Sequence, residues 1–377
     1  MAKKAYIGVS GKARLVKKGY IGIDGKARRI KKAYVGVGGV ARPCWPSEEE
    51  VEYYGTLDSS PLTVARGGLA ATTVGNYALF GGGATGDSTS SKVVDAYSST
   101  LTRSTPTQLT TAAVYLAATT VGNYALFGGG ITSGAAGTSR TATVNAYNSS
   151  LTKEATVTSL SGSARGRLAA TTIGNYALFG GGYVSGSSNS NVVDAYNTSL
   201  TRSQPAETLQ RARAGLRATS NGAYAIFGSG TNETSTDAYD ASLTHVIAAN
   251  VPSKQQECGA TSVGVYALFG GGGGNASPTT AVNAFNGSLT LTSAPALTVA
   301  RNGLAATTVG DYAIFGCGRP SGSSFSAVVD AYDSSLTRTN PTQMGNTFQN
   351  AATSVGSYAL FAGGYASPKD TVYVYMA

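Results

Sequence analysis

The chain has 377 residues, with 50 Gly, 22 Tyr, one Trp and one His, and 12% of its residues are charged. Such a composition suits short strands joined by tight turns and argues against helical bundles. The net charge of +9 is uneven: 12 of the 28 Lys and Arg, but one of the 19 acids, fall in 1–42, so this segment carries +11 and the rest −2.

Residues 1–42 repeat with a period of 14. Lys3-Lys4-Ala5-Tyr6-Ile7-Gly8-Val9 returns as Lys17-Lys18-Gly19-Tyr20-Ile21-Gly22-Ile23 and as Lys31-Lys32-Ala33-Tyr34-Val35-Gly36-Val37. Each copy runs into Ser10-Gly11, Asp24-Gly25 or Gly38-Gly39. These are two-residue hairpin turns, because Gly takes the positive φ that such turns need. Three small hairpins are expected, burying little apolar surface of their own. Their basic residues could contact nucleic acid, but no base-reading motif accompanies them. A docking face is the expected role, and nucleic acid is not the expected partner. These copies resemble the basic amino-terminal repeats of phage and prophage structural proteins from Firmicutes. The resemblance implies a segment attaching the protein to other virion or tail proteins. Pro43, Pro46 and Glu48-Glu49-Glu50 then mark a linker over 43–50.

A second repeat fills 51–377. Tyr77-Ala78-Leu79-Phe80-Gly81-Gly82-Gly83 recurs, with small changes, from Tyr124, Tyr176, Tyr224, Tyr266, Tyr312 and Tyr358, at intervals of 47, 52, 48, 42, 46 and 46 residues. Repeats of this length with β-type residues indicate a β-propeller, one four-stranded blade per copy. Seven blades are expected. In the first repeat the inner strand is read at 69–74, the second at 77–81, the third at 93–97 and the outer within 101–108. The last repeat stops after its third strand, and the β-prone piece 51–57 precedes the first blade in the register of an outer strand. That piece is expected to complete blade seven and leave no open edge.

The repeats resemble kelch repeats: a Gly-Gly doublet ends one strand, a Tyr-containing strand follows, and an Arg stands before the inner strand (Arg66, Arg165, Arg211 or Arg213, Arg301). The family's outer Trp is here Leu-Thr, as at Leu101-Thr102, and blades two and seven lack the Arg. The resemblance implies that these arginines bond carbonyls of adjoining blades. Opening near the central channel, they would otherwise suit anionic glycans or carboxylates.

Chemistry is sparse. Cys44, Cys258 and Cys317 have no CxxC spacing, which gives neither a metal site nor a disulfide framework. Cys258 stands where other repeats have Leu and reads as a small core residue. His245 is the lone histidine, so imidazole-rich copper or zinc sites are not expected, and it reads as a surface residue. Asp95, Asp194, Asp237 and Asp330 recur once per blade, with Asn145 and Asn283 in their place elsewhere. Such repetition reads as structural, not as a convergent acid/base pair. No P-loop accompanies the Gly triplets. No cofactor, metal or catalytic residue is expected.

The connections between second and third strands differ among blades, while the other turns are nearly uniform. They run over 84–92, 131–141, 183–191, 229–235, 274–280, 319–327 and 365–370. Loops that vary on a rigid scaffold are where recognition resides. Arg66, Arg165 and Arg301 by the channel, with Tyr183, Arg319, Phe325, Tyr365 and Lys369 in the loops, are the expected binding residues. No run of about 18 apolar residues suggests a membrane span, and Met1-Ala2-Lys3-Lys4 lacks the apolar stretch of a signal peptide. The expected protein is a virion component made in the bacterial cytoplasm, a non-enzymatic tail or surface adhesin for host glycan or protein. A scaffold propeller of the particle and a glycan-active enzyme are the alternatives.

Overall fold

A computed structural model describes residues 51–185, 188–274, 277–321, 324–365 and 367–377, and the backbone of six strands between 6 and 43. The chain divides into Met1–Glu50 and Val51–Ala377.

In the first unit Tyr6–Val9 pairs with Lys12–Leu15, Tyr20–Ile23 with Lys26–Arg29, and Tyr34–Val37 with Val40–Pro43, all antiparallel. The pairs close at Val9↔Lys12, Ile23↔Lys26 and Val37↔Val40, around the Gly-containing dipeptides. Those turns, and the linker beyond Pro43, lie outside the described residues. Pro43 itself belongs to the last strand and not to the linker.

The second unit is a seven-bladed β-propeller, and its described residues contain no helix. The inner strands are Ala70–Val74, Ala117–Val121, Ala169–Ile173, Arg217–Ser220, Gly259–Val263, Ala305–Val309 and Ala351–Val355. Each pairs with the Tyr-Ala-Leu/Ile-Phe strand that follows, which pairs in turn with a third strand such as Val94–Ser98. Glu52–Thr56 lies antiparallel to Val372–Met376, with Glu52 opposite Met376, and is the fourth strand of blade seven.

Outer strands are short, and that of blade one lies within 101–108. Arg103–Ser104, Arg202–Ser203 and Arg338–Thr339 stop just ahead of Pro106, Pro205 and Pro341. Proline offers no N–H to the ladder and restricts the residue before it. Where the proline comes later, at Pro252 and Pro295, the strands His245–Ala248 and Leu291–Ala294 are longer. In blade two a single bridge, Tyr147↔Lys153, stands for the outer strand.

The apolar core lies between blades. Leu79, Val94 and Ala96 of blade one meet Leu116, Phe127 and Tyr147 of blade two, and equivalent residues meet at the other junctions. The Phe-Gly step of the repeat follows from this packing. A Cβ at Gly81 would sit 2.8 Å from a ring carbon of Phe127, and one at Gly180 2.7 Å from Phe227. Six blades thus leave a gap that the next blade's Phe fills, and blade seven has Ala362 in that place. Within a blade that Phe meets the third-strand Tyr edge-on, as Phe80 does Tyr97 at 6.0 Å and 82°, a favoured aromatic geometry.

Threonines join the inner strands. Thr72 Oγ1 lies 2.8 Å from Thr120 Oγ1, Thr119 the same distance from Thr172, and Thr353 2.7 Å from Thr73 across the seam between blades seven and one. The paired threonines of Ala-Ala-Thr-Thr-Val therefore reach one neighbour each.

Candidate functional site

One residue before each inner-strand Leu, or its replacement, the chain takes a left-handed turn. The positions are Gly68, Tyr115, Arg167, Gly215, Glu257, Gly303 and Gln349, with φ between 51° and 65°. Each N–H donates to the carbonyl of the equivalent residue in the preceding blade: Tyr115 to Gly68, Arg167 to Tyr115, and so on until Gly68 donates to Gln349, at 2.7–3.0 Å. Seven backbone hydrogen bonds close a ring around the channel mouth. Glycine meets this conformation without strain, whereas an L-residue gives up roughly 1–2 kcal/mol there.

Four blades nonetheless place a large polar residue in the ring, and the four side chains interact. Arg167 Nη1 donates to Glu257 Oε1 over 2.5 Å, and its guanidinium carbon lies 4.2 Å from the centre of the Tyr115 ring. Tyr115 Oη donates to Gln349 Oε1 over 2.9 Å. Burial raises the Tyr115 pKa, against the pull of the Arg167 charge, so the phenol keeps its proton. The Arg167 side chain is 30% exposed and that of Glu257 12%.

This cluster lines two cavities. The upper channel holds about 270 Å³ and is lined by the ring residues, the first residues of the inner strands, Arg217 and Asn350. A second space of about 310 Å³ opens at the rim, among Gln256, Arg319, Phe348 and Tyr365. The Arg319 guanidinium sits 5.1 Å from the Phe348 ring centre, Phe325 stacks on Phe348 at 5.1 Å and 9°, and Tyr365 meets Phe348 edge-on. Guanidinium, amide, phenol and aromatic groups thus face one space. Together they offer positive charge, hydrogen bonds and apolar ring faces.

The expected site residues divide. Arg319, Phe325 and Tyr365 gather at the rim. Tyr183 pairs with Gly166 and lies under Arg140, 4.3 Å from its guanidinium carbon, outside this cluster. Lys369 is exposed, and its carbonyl accepts from Arg66 N over 2.9 Å. Arg66, Arg165 and Arg301 do not line the channel: all are fully buried and lie 2.8, 2.5 and 2.7 Å from the third-strand carboxylates Asp95, Asp194 and Asp330. Arg66 also donates to the carbonyls of Val64, Phe80 and Gly82, which leaves its guanidinium no face for a ligand.

Arg213 makes the same pair with Asp237 at 2.7 Å. Where the acid is missing, so is the arginine. Blade two has Ala113 with Asn145, and blade seven has Thr347 with Tyr373. Blade five also lacks the Arg, and there Asn283 Nδ2 donates to Gln255 Oε1 over 2.6 Å. Reading the repeats against one another for joint replacement would have exposed the pairing.

His245 is not a surface residue. Its side chain is 6% exposed, with Nε2 2.7 Å from Asp237 Oδ1. It takes the place of Arg103, Arg202 and Arg338, whose Nε atoms lie 3.9–4.0 Å from their own blades' aspartates. Cys258 is fully buried in the core between blades four and five.

Among the described residues no three of His, Cys, Asp and Glu converge, and no helix is long and apolar enough to cross a membrane. Tyr115, Arg167, Glu257 and Gln349 are missed by a reading of loops alone. Their signal is a repeat position that alternates between Gly and large polar residues. No protein-family model matches the chain, and no curated protein is significantly similar to it.

Proposed function

We propose that this is a non-enzymatic recognition propeller, a kelch-like tail or surface adhesin of a phage or prophage particle that binds host glycan or protein. One observation carries the binding role: polar side chains held in a left-handed backbone converge on the channel mouth, beside an aromatic rim. Uniform turns on the opposite face offer no comparable departure from the repeat. The opposite face has left-handed residues too, Leu101, Leu151, Leu200, Leu243, Leu289 and Leu336, but they are one residue type throughout. At the mouth four blades hold different large polar residues where three hold glycine. It is this variation on a strained position that supports a binding role. The virion role rests on the likeness of the 1–42 repeats to phage structural proteins and on their basic charge, which suits docking to a partner.

The test is binding of the full chain to a glycan array and to host-cell envelopes, with Arg319→Ala and Tyr365→Ala beside the parent. Retained signal that both variants lose supports the reading. Equal binding by all three moves recognition away from the rim, and release of reducing sugar from a bound glycan makes the protein an enzyme.

A further inference from the structure

Arg217 departs from the pattern of the inner strands. Their first residue is Ala70, Ala117, Ala169, Ala305 or Ala351 in five blades and Gly259 in blade five. Blade four alone carries a cation there, half-buried in the upper channel that Arg167 also lines. Among the described residues its Nη1 donates to the adjoining carbonyl of Leu216, over 3.2 Å. The next blade has the smaller Cys258 and Gly259 where Leu and Ala stand elsewhere. Arg167 and Arg217 thus bring two guanidinium groups to this channel, and Glu257 is the acid among its lining residues.

Asn350 is a second, independent departure. It replaces the Leu of five other blades, is 8% exposed and lines the same cavity. Neither amide atom has a nitrogen or oxygen partner among the described residues, and the Cys317 thiol that it meets is a weak hydrogen-bonding group. A buried amide so weakly paired is unfavourable, and a polar ligand filling the channel would satisfy it. Gln256 and Gln349 add uncharged hydrogen-bonding groups, and Phe348 and Tyr365 add aromatic surface at the exit. Excess guanidinium charge calls for an anion. Several amides call for hydroxyl groups, and aromatic faces suit the C–H surface of a sugar.

We infer that the channel mouth binds a hexuronic acid, the terminal sugar of an acidic polysaccharide, with its carboxylate at Arg217 and Arg167 and its hydroxyls at the amides of Asn350 and Gln349. The inference rests on the recognition reading above and names its ligand class.

Titration calorimetry of the full chain with the methyl glycosides of D-glucuronate and D-galacturonate tests it, with methyl glucoside, methyl galactoside and an acetylated aspartyl peptide as comparators. The uronates are expected to bind about tenfold or more tighter than the neutral glycosides, and Arg217→Ala to remove that advantage. Asn350→Leu is expected to weaken uronate binding about threefold or more. Both variants install the residue that other blades hold at that position, and a thermal melt matching the parent verifies the fold. Uronates no better than neutral glycosides, an aspartyl peptide that binds tighter than either, or unchanged uronate affinity in folded Arg217→Ala and Asn350→Leu would each overturn the inference. Array binding confined to neutral glycans and indifferent to Arg217→Ala leaves the recognition role standing and removes the hexuronate. No binding to any glycan or envelope removes both.

Discussion

Arg66 Nη2 donates to Asp95 Oδ2 over 2.8 Å, and neither side chain is exposed to solvent. Removing one member strands the other charge in the core, at a cost of about 3–5 kcal/mol. Arg66→Ala is therefore expected to destabilise strongly. The double variant Arg66→Gln with Asp95→Asn copies the Gln255–Asn283 pair of blade five and should recover much of the loss. Urea unfolding of the three proteins decides it; a double variant as unstable as Arg66→Ala would show that the pair is not an interchangeable unit.

Tyr332 Oη donates to the carbonyl of Pro295 over 2.7 Å, and Tyr97, Tyr147, Tyr196, Tyr239 and Tyr375 make the same bond to the segment ahead of their own blades' inner strands. Blade five has Phe285 there and forms its edge-on ring pair with Phe269 at 6.0 Å without a hydroxyl. Tyr332→Phe should therefore cost only about 0.5–1.5 kcal/mol, the net worth of one hydrogen bond. A larger loss in urea unfolding would mean that the hydroxyl organises the outer segment as well.

The architecture was legible because the same packing problem is solved seven times. Tyr-Ala-Leu-Phe-Gly records a strand whose Phe fills the gap left by the preceding blade's Gly, and Ala-Ala-Thr-Thr-Val records an inner strand hydrogen-bonded to both neighbours. The outer strands were less legible, because proline placement and not hydrophobic pattern sets their length. The site was least so. Contact-making loops such as Arg319 and Tyr365 stand out by variability, but Tyr115, Arg167, Glu257 and Gln349 sit in a conserved backbone turn. Only the ring of hydrogen bonds shows that they meet. The conspicuous arginines before the inner strands misled for the opposite reason, since their partners are aspartates about 24–29 residues onward in sequence.

Burial pushes the thiols of Cys258 and Cys317 up to about 12 from 9.0. Both stay protonated in the folded protein at pH 8, and the thiolate is the reactive form. In a Cys44→Ser background, Ellman's reagent at pH 8 should label neither thiol until denaturant is added, then both. The sign for stability follows: above about pH 9 the unfolded chain releases these protons and the folded one does not, so stability falls as pH rises. Rapid labelling of the native protein would contradict this burial.

Blade seven draws its outer strand, Glu52–Thr56, from ahead of blade one. Deleting 1–42 should leave a folded propeller. Deleting 1–60 also removes that strand and the Ser60 carbonyl that accepts from Tyr97, and it exposes the edge of Val372–Met376. A drop in melting temperature of roughly 10 °C or more, or aggregation, is expected for the longer deletion alone. Matching melts for both truncations would show that the closing strand contributes little.

Gln349→Gly puts glycine where Gly68, Gly215 and Gly303 already stand. It removes the left-handed strain and one hydrogen bond to Tyr115, which offset each other to within about 1 kcal/mol. The melting temperature should hold while binding at the channel mouth weakens. Loss of stability together with binding would instead assign Gln349 a role in holding the ring.

The ring of hydrogen bonds at the mouth runs in one rotational sense, each amide pointing to the blade before it. A helix stacks its peptide dipoles end to end and leaves a charged pole at each tip. Here the dipoles circulate, and their components in the plane of the ring cancel. No donor or acceptor of the ring is left over at a seam, so the ring has no counterpart to a helix end. The charged residues that line the two cavities are Arg167, Arg217 and Arg319, with Glu257 the acid among them. Changing one of those four changes the sign or strength of the mouth without disturbing the frame that carries it.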